Sequence, residues 1–149
     1  MLNIGLVGLF RGLPFNYYKD RNFLYSCPLP FKNKFIYSNY CIEQLSKRLL
    51  IKYKYKLEEG YETVSFLGHG FGGIIAKKTI INLCREDLSF KGLYISLSTP
   101  HNNIDELIKK SSKTYFMGEY KGLINELNIS WTRYKNRIVR IYYCDTTIP

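Results

Sequence analysis

The chain is poor in the residues and segments that most often mark a metal centre or a membrane anchor. It has two histidines among 149 residues, and its four cysteines form neither a C-x-x-C pair nor a cysteine-histidine cluster of zinc spacing. We therefore expect no metal site. The apolar start, residues 1–10, follows no basic region and is closed by Arg11, so neither a signal peptide nor a membrane span is expected.

The four cysteines, Cys27, Cys41, Cys84 and Cys144, are spread along the chain. This spacing is typical of reduced thiols rather than of a disulfide framework. We therefore expect an intracellular, reducing compartment, with the cytoplasm favoured and an organelle left open.

Acidic residues are scarce as well. Lys and Arg outnumber Asp and Glu by 22 to 12, which gives a net charge of +10. Such a charge favours RNA, an anionic membrane surface or an acidic protein partner. The abundance of lysine, asparagine, isoleucine and tyrosine is also what an AT-rich coding sequence produces, so charge alone selects none of these. With 46% hydrophobic residues, residues 1–149 are expected to form a single domain.

Short apolar runs alternate with helical patterns along the chain, and no hairpin signal occurs. This order predicts an α/β fold of three layers, with a mostly parallel sheet of about five strands and helices on both faces. The predicted strands are residues 3–10, 22–27, 63–67, 93–97 and 138–144. The predicted helices begin near Cys41, with Ser38 or Asn39 as cap, and after Gly73, with further helical stretches at residues 104–110 and 120–127.

The helix that begins near Cys41 has one apolar stripe. Its members recur at steps of three and four residues and are Ile42, Leu45, Leu49, Tyr53 and Leu57. The basic residues Lys47, Arg48 and Lys54 lie off this stripe. They are interpreted first as a solvent-exposed face of the helix, and they are the candidate contacts if a polyanion binds.

The most informative segment joins the third strand to the next helix. It reads Gly68-His69-Gly70-Phe71-Gly72-Gly73. This is the layout of a G-x-S-x-G elbow, in which a strand turns sharply into a helix and exposes a nucleophile. Gly68 and Gly72 stand at the two clearance positions, Gly73 lets the helix approach the sheet, and Gly70 stands where the nucleophile belongs. Neither His69 nor Phe71 replaces the missing oxygen.

Two other interpretations of this segment remain. Gly68, Gly70 and Gly73 also satisfy G-x-G-x-x-G, the turn of a dinucleotide-binding domain. A dinucleotide-binding site needs an acidic residue at the end of the next strand. Here that strand ends in Ser98-Thr99-Pro100-His101, which contains no acidic residue. The third interpretation is a glycine turn with a purely structural role.

Three blocks of the sequence resemble the α/β-hydrolase superfamily, and most closely its serine-esterase, lipase-like branch. Residues 64–76 are similar to that family's elbow and following helix, where G-H-S-x-G-G is usual. Residues 94–101 resemble the next strand and its T-P-H turn. Residues 137–149 resemble the strand ending in D-x-x-V-P that carries the acid of the triad.

The resemblance implies that Gly70 stands at the nucleophile position and Asp145 at the acid position. The family's catalytic histidine follows one more strand, whereas this sequence ends at Pro149. His69 and His101 match family positions other than the base. His101 follows the carboxyl end of a strand, so it is a possible residue of the site rim. The first strand lacks the family's His-Gly pair, so no oxyanion loop is predicted there.

The resulting hypothesis is a catalytically inactive, hydrolase-like domain with a binding or assembly role and no cofactor. Its sheet would be incomplete at the carboxyl terminus, and a protein partner is expected to cover the exposed edge. The alternative is an active or split serine esterase or lipase acting on lipid esters. A dinucleotide-binding domain is the third hypothesis.

Overall fold

A computed structural model describes residues 4–10, 25–28, 39–86, 88–90, 92–97, 99, 101, 117–137 and 140–144. These residues form strands joined by helices in the order expected of an α/β chain. The elements are β1 (Ile4–Phe10), β2 (Tyr25–Pro28), α1 (Asn39–Glu58), β3 (Thr63–His69), α2 (Phe71–Arg85), β4 (Leu93–Leu97), α3 (Met117–Tyr134), a 3₁₀ turn (Lys135–Arg137) and β5 (Arg140–Cys144).

The strands form one five-stranded sheet in the order β2-β1-β3-β4-β5. Every neighbouring pair is parallel. All the carboxyl ends therefore lie at one edge, and β3 sits between β1 and β4. The prediction of a mixed α/β chain with parallel strands is confirmed.

The three described helices lie on one face of the sheet. Helix α2 contacts β1, β3 and β4, and both α1 and α3 contact α2. Within the described ranges no helix lies on the opposite face. A helical layer on that second face stays a prediction, and the helical stretch expected at residues 104–110 lies outside the described residues.

The core lies between α1, α2 and the sheet. The rings of Tyr53, Phe66 and Phe90 pack together, with centroids 4.8 to 5.6 Å apart. The predicted stripe of α1 faces this core, and its members Ile42 and Leu49 are buried. The basic residues predicted to lie off the stripe are exposed.

Strand β4 has the predicted bounds, whereas other elements differ from the local sequence pattern. Strand β3 continues to His69 because that residue pairs with Leu97 of β4. Helix α3 runs from Met117 to Tyr134 rather than over residues 120–127. The burial of Trp131 against the core, with 5% of its surface exposed, explains the longer carboxyl end of this helix, because burial stabilises a helix beyond its local propensity.

Candidate functional site

The glycine turn, residues 68–73, lies at the carboxyl edge of the sheet. Strand β3 ends at His69, α2 begins at Phe71, and Gly70 alone makes the change of direction with φ 58° and ψ −125°. The Gly70 N–H donates to the Leu97 carbonyl at 2.8 Å, and the Gly73 N–H donates to the Gly70 carbonyl at 3.1 Å. The turn is therefore fastened both to β4 and to the first turn of α2, in a conformation that L side chains rarely adopt.

Glycines allow the end of β3, the start of α2 and the side chain of Thr99 to meet at this turn. A Cβ atom on Gly68 would lie 2.5 Å from the Gly73 Cα and N atoms. A Cβ atom on Gly73 would overlap the Thr99 Oγ1 atom. The end of β3, the start of α2 and the segment after β4 therefore approach more closely than residues with side chains would permit.

The turn also lies at the point where the chain reverses its direction across the sheet. From β1 the chain passes to β2 on one side, and from β3 it passes to β4 on the other. In open α/β sheets, ligands bind in the crevice outside the carboxyl ends of the strands at such a switch point. The N–H groups of the first turn of α2 lie at this edge and carry partial positive charge. The glycine turn thus occupies the position where a ligand is expected.

Gly70 supplies no hydroxyl or thiol at the position expected for a nucleophile. Asp145, the predicted acid, lies outside the described residues, as do the side chains of His69 and Phe71. Of the residues singled out as a possible base or rim residue, only the side chain of His101 is described.

His101 belongs to a buried cluster that also contains Lys77, Ser96 and Asn128. Its Nε2 atom lies 2.8 Å from Ser96 Oγ, and its Nδ1 atom lies 3.4 Å from Lys77 Nζ. The Lys77 ammonium donates to Asn128 Oδ1 at 2.8 Å, and Asn128 Nδ2 donates to the His101 carbonyl at 3.0 Å. These bonds hold the segment after β4 between α2 and α3.

The donors and acceptors of the cluster determine the form of the histidine. An ammonium group can only donate, so His101 Nδ1 accepts from Lys77 and Nε2 carries the hydrogen that is donated to Ser96 Oγ. Burial, reinforced by the Lys77 charge, lowers the pKa of His101 to about 4. Burial lowers the pKa of Lys77 to about 8. At neutral pH His101 is therefore neutral and most Lys77 is charged.

The contact between Ser96 and His101 resembles the pairing of a nucleophile with a base, but the electrostatics are those of a structural network. A cation stands where a triad would place a carboxylate, and this opposes protonation of the imidazole. The Ser96 side chain is buried, with 2% of the residue exposed. The Ser96 hydroxyl is therefore shielded from solvent, whereas His101 and Asn128 are half-buried.

Aromatic side chains enclose the cluster. The Lys77 Nζ atom lies 5.2 Å from the centroid of the Trp131 ring, and Trp131 Nε1 donates to the Tyr143 hydroxyl at 2.7 Å. The His101 ring meets the edge of Tyr143 at a centroid distance of 5.3 Å. The buried Tyr94 hydroxyl donates to the Gly73 carbonyl at 2.7 Å, so this aromatic wall also contacts the glycine turn.

Sequence reasoning missed Lys77, Ser96 and Asn128. One signal was present, because Lys77 interrupts the apolar helix that begins after Gly73. A lysine among residues that pack on a sheet has to find polar partners or lose its charge. The local sequence pattern does not indicate those partners, which lie on β4, α3 and the segment between them.

The predicted polyanion contacts lie elsewhere, on α1. Lys47, Arg48 and Lys54 are all exposed. Lys54 forms an ion pair with Glu86 at 3.0 Å. None of the hydrogen bonds or ion pairs among the described residues joins these three side chains to the glycine turn.

The remaining predictions concern cysteines, metals and membrane spans. Cys84 is a buried free thiol, and burial raises the pKa of both Cys41 and Cys84. In the described part of the chain, no three His, Cys, Asp or Glu side chains are grouped as metal ligands would be. None of the helices described has both the length and the apolar character needed to cross a membrane.

No protein-family model matches the chain, and no curated protein matches it. Among solved structures, the chain is similar to human thioesterase 2, with 11% sequence identity, an alignment covering 97% of this chain and 86% of that chain, and a TM-score of 0.47. This similarity is weak.

Proposed function

We propose that the chain is a hydrolase-like α/β domain whose elbow has lost its nucleophile and serves as a scaffold for binding or assembly. In this proposal the described sheet is part of a three-layer α/β-hydrolase fold, and Gly70 and Asp145 stand at degenerate triad positions. The observation that carries the proposal is the backbone of Gly70, which makes a strained turn from strand to helix with no reactive side chain.

The chemistry of acyl transfer supports inactivity. The reaction needs a hydroxyl or thiol within reach of a general base. Glycine provides neither, and removing the nucleophile from a triad abolishes most of the catalysis. The backbone amides at the start of α2 remain able to bind a ligand, so a binding role survives this loss.

His101 is a poor replacement for the missing base. Both of its ring nitrogens contact protein groups, Ser96 and Lys77. A general base works best when its pKa lies near the operating pH, whereas burial lowers the pKa of His101 to about 4. We assign His101 to the support of the segment after β4 rather than to catalysis.

The assembly role is supported by the edge of the sheet. Strand β5 is the outermost strand on its side, and among the described residues it pairs only with β4. Its Tyr143 is 51% exposed. An unpaired strand edge offers N–H and C=O groups to a further strand, so we propose a protein partner at β5.

The test of inactivity uses an alkyl fluorophosphonate, which forms a covalent adduct with activated serines. We expect intact-protein mass spectrometry to find no adduct on the natural chain and none on Gly70→Ser. We also expect Gly70→Ser to show no turnover of a short-chain nitrophenyl ester, because His101, the one histidine whose side chain is described, is held by Ser96 and Lys77 rather than offered to the new hydroxyl. Gly70→Ala is the matched control for the effect of any side chain at this turn.

Either of two results would reject this proposal. An adduct on the natural chain would favour the active or split serine esterase or lipase. Ester turnover by Gly70→Ser that is absent from Gly70→Ala would reveal a functional base near the turn.

The dinucleotide hypothesis gains only limited support from the fold. The strand order β2-β1-β3-β4-β5 is the flavodoxin-like doubly wound order, which binds a mononucleotide at its switch point, rather than the strand order typical of dinucleotide-binding domains. In that arrangement, however, the phosphate loop follows the first strand, whereas Gly68, Gly70 and Gly73 follow or end β3. Titration with NADH, followed by its fluorescence, tests this second candidate, and saturable binding that Gly70→Ala weakens would support it.

A further inference from the structure

The outward side of α1 carries a row of large apolar residues that the core does not use. Tyr40, Ile51 and Tyr55 are 76%, 67% and 57% exposed. At about 3.6 residues per turn, Tyr40 and Ile51 lie about three turns apart on nearly the same side of the helix, and Tyr55 follows one turn after Ile51. We call these residues, with Lys47 and Arg48, the outer stripe of α1.

The row is distinct from the face that packs on the sheet. Ile42, Leu49 and Tyr53, which form that inner face, are all buried. The exposed residues therefore contribute little to the core. Single exposed apolar residues are common on protein surfaces, whereas these three lie along one strip of the helix surface, with Ile51 and Tyr55 one turn apart and Tyr40 about three turns away.

Positive charge lies within this strip. Lys47 and Arg48 are exposed between Tyr40 and Ile51. No ion pair among the described residues includes either of them.

Several neighbouring lysines are already neutralised by carboxylates. The ion pairs near α1 are Lys54 with Glu86, Lys56 with Glu59 and Lys78 with Glu43. Lys47 and Arg48 are therefore basic residues of the outer stripe that lie outside these ion pairs, on a chain of net charge +10, whereas Glu58, an exposed carboxylate at the end of α1, lies on the same side of the helix.

We propose that the outer stripe of α1 binds an anionic lipid surface. Lys47 and Arg48 contact lipid phosphates, Ile51 enters the boundary between headgroups and acyl chains, and the Tyr40 and Tyr55 rings lie at headgroup level. Binding is shallow and reversible, because one side of α1 remains packed on the protein. This proposal does not depend on whether the glycine turn is catalytically inactive.

The shape of the stripe favours a lipid surface over nucleic acid. Its centre is the aliphatic Ile51, which can enter a lipid boundary but offers no ring on which a base could stack. The two tyrosines lie about 22 Å apart along the helix axis, too far to stack on neighbouring bases. The outer side of a helix is convex, which suits a broad surface better than a single strand.

The experiment measures co-sedimentation of the full chain with phosphatidylcholine vesicles, with and without about one third phosphatidylserine. We expect binding only to the anionic vesicles, and a steep decrease as salt screens the charges. Lys47→Gln combined with Arg48→Gln should lower the partition coefficient about 30-fold, because each basic residue near such a surface contributes about fivefold. Arg133→Gln with Lys135→Gln removes the same charge from the end of α3 and should lower it far less.

A second pair of variants tests the apolar part of the stripe. Ile51→Ser should weaken vesicle binding about tenfold, since it removes most of the aliphatic surface that enters the lipid. Ile129→Ser on α3, which changes a residue that is 71% exposed, should leave binding unchanged. Circular dichroism of each variant checks that its fold is intact.

Three outcomes would overturn the proposal. Equal binding to neutral and anionic vesicles, or none to either, would contradict it directly. Vesicle binding that survives the double change at Lys47 and Arg48 would assign the contact to another face. Binding of a single-stranded RNA homopolymer in place of vesicles, lost in the same double variant and kept in Ile51→Ser, would assign the stripe to nucleic acid.

Discussion

The glycine turn and the buried cluster lie side by side and have opposite properties. The turn stands at the edge of the sheet where ligands bind, but Gly70 brings no reactive group to it. The cluster brings together an amine, an imidazole and a hydroxyl in Lys77, His101 and Ser96, but it lies behind the turn with little exposure. Tyr94 connects the two regions through its hydrogen bond to the Gly73 carbonyl.

This contrast shows why residue types alone do not identify a catalytic site. A reactive site needs exposure, a suitable pKa and a suitable neighbour in the same place. The cluster supplies neighbours at hydrogen-bonding distance, but burial and the Lys77 charge keep its imidazole neutral and weakly basic. The turn supplies position and backbone donors only. We therefore propose that the cluster supports the fold and that the turn serves binding.

The largest effect is expected from filling the tight backbone contact between Gly68 and Gly73. Gly68→Ala would place a Cβ atom 2.5 Å from backbone atoms of Gly73. Strand β3 is paired on both sides and α2 is packed on the sheet, so neither can move far. We therefore expect a loss of about 3 to 4 kcal/mol in the free energy of unfolding. Urea denaturation followed by circular dichroism measures it.

Gly122→Ala is the matched control for that prediction. Gly122 lies inside α3 with no atom within 4 Å of a Cβ position. Alanine there should raise stability by about 0.5 to 1 kcal/mol, because it favours the helix over the unfolded chain. Equal effects of the two substitutions would mean that the contact between Gly68 and Gly73 is not tight.

A smaller loss is expected from opening the cluster. Lys77→Ala removes the donor to Asn128 and His101 and leaves a space beside Trp131, so we expect a loss of about 2 to 3 kcal/mol. Lys77→Met keeps the packing and removes the buried charge, so its loss should be about 1 kcal/mol or less.

The same pair of variants distinguishes packing from charge. If Lys77→Met were as unstable as Lys77→Ala, the hydrogen bonds would matter more than the packing of the lysine stem. In Lys77→Met the pKa of His101 should rise, since the neighbouring charge that lowers it is gone. A histidine titration by NMR measures that rise.

The next effect expected is a pH dependence that belongs to the cluster and not to the turn. The pKa of His101 is lowered to about 4 from an ordinary value of 6.5. Between these values the unfolded chain binds a proton that the folded chain does not, so stability falls as the pH is lowered from about 6.5 to 4. After allowance for partial exposure, His101 should account for about 2 kcal/mol of this loss.

His101→Gln isolates that contribution. Carboxylates also titrate in this range, so the quantity of interest is the difference between the natural chain and the variant. The two stability curves should converge as the pH falls. Parallel curves from pH 7 to 4 would show that His101 is not held neutral by its surroundings.

The local elements were predictable where the spacing of apolar residues and the positions of glycines indicated the same structure. Strand β4 has the bounds expected from its apolar run, and α1 buries the stripe that its spacing predicted. The close approach at Gly68 and Gly73 follows from the type of turn, because a sharp change from strand to helix leaves no room for side chains.

The cluster was not predictable in the same way. Lys77 contacts His101 and Asn128, and His101 in turn contacts Ser96. No local period encodes contacts between residues so far apart in the chain. The pKa values of Lys77 and His101 depend on this packing, so they too lay beyond what residue types and spacing could indicate.

The position of β1 has a consequence for how the chain acquires its fold. Strands β3 and β4 and the helix between them follow one another in sequence and contact each other directly. Strand β1 precedes them by many residues, yet it lies between β2 and β3. Contacts between distant segments form late, because a long loop has to close first. We therefore expect β1 to be the last of these three strands to join the sheet, so the newly made chain carries an apolar strand that still lacks its β3 partner while α1, β3 and α2 are being synthesised.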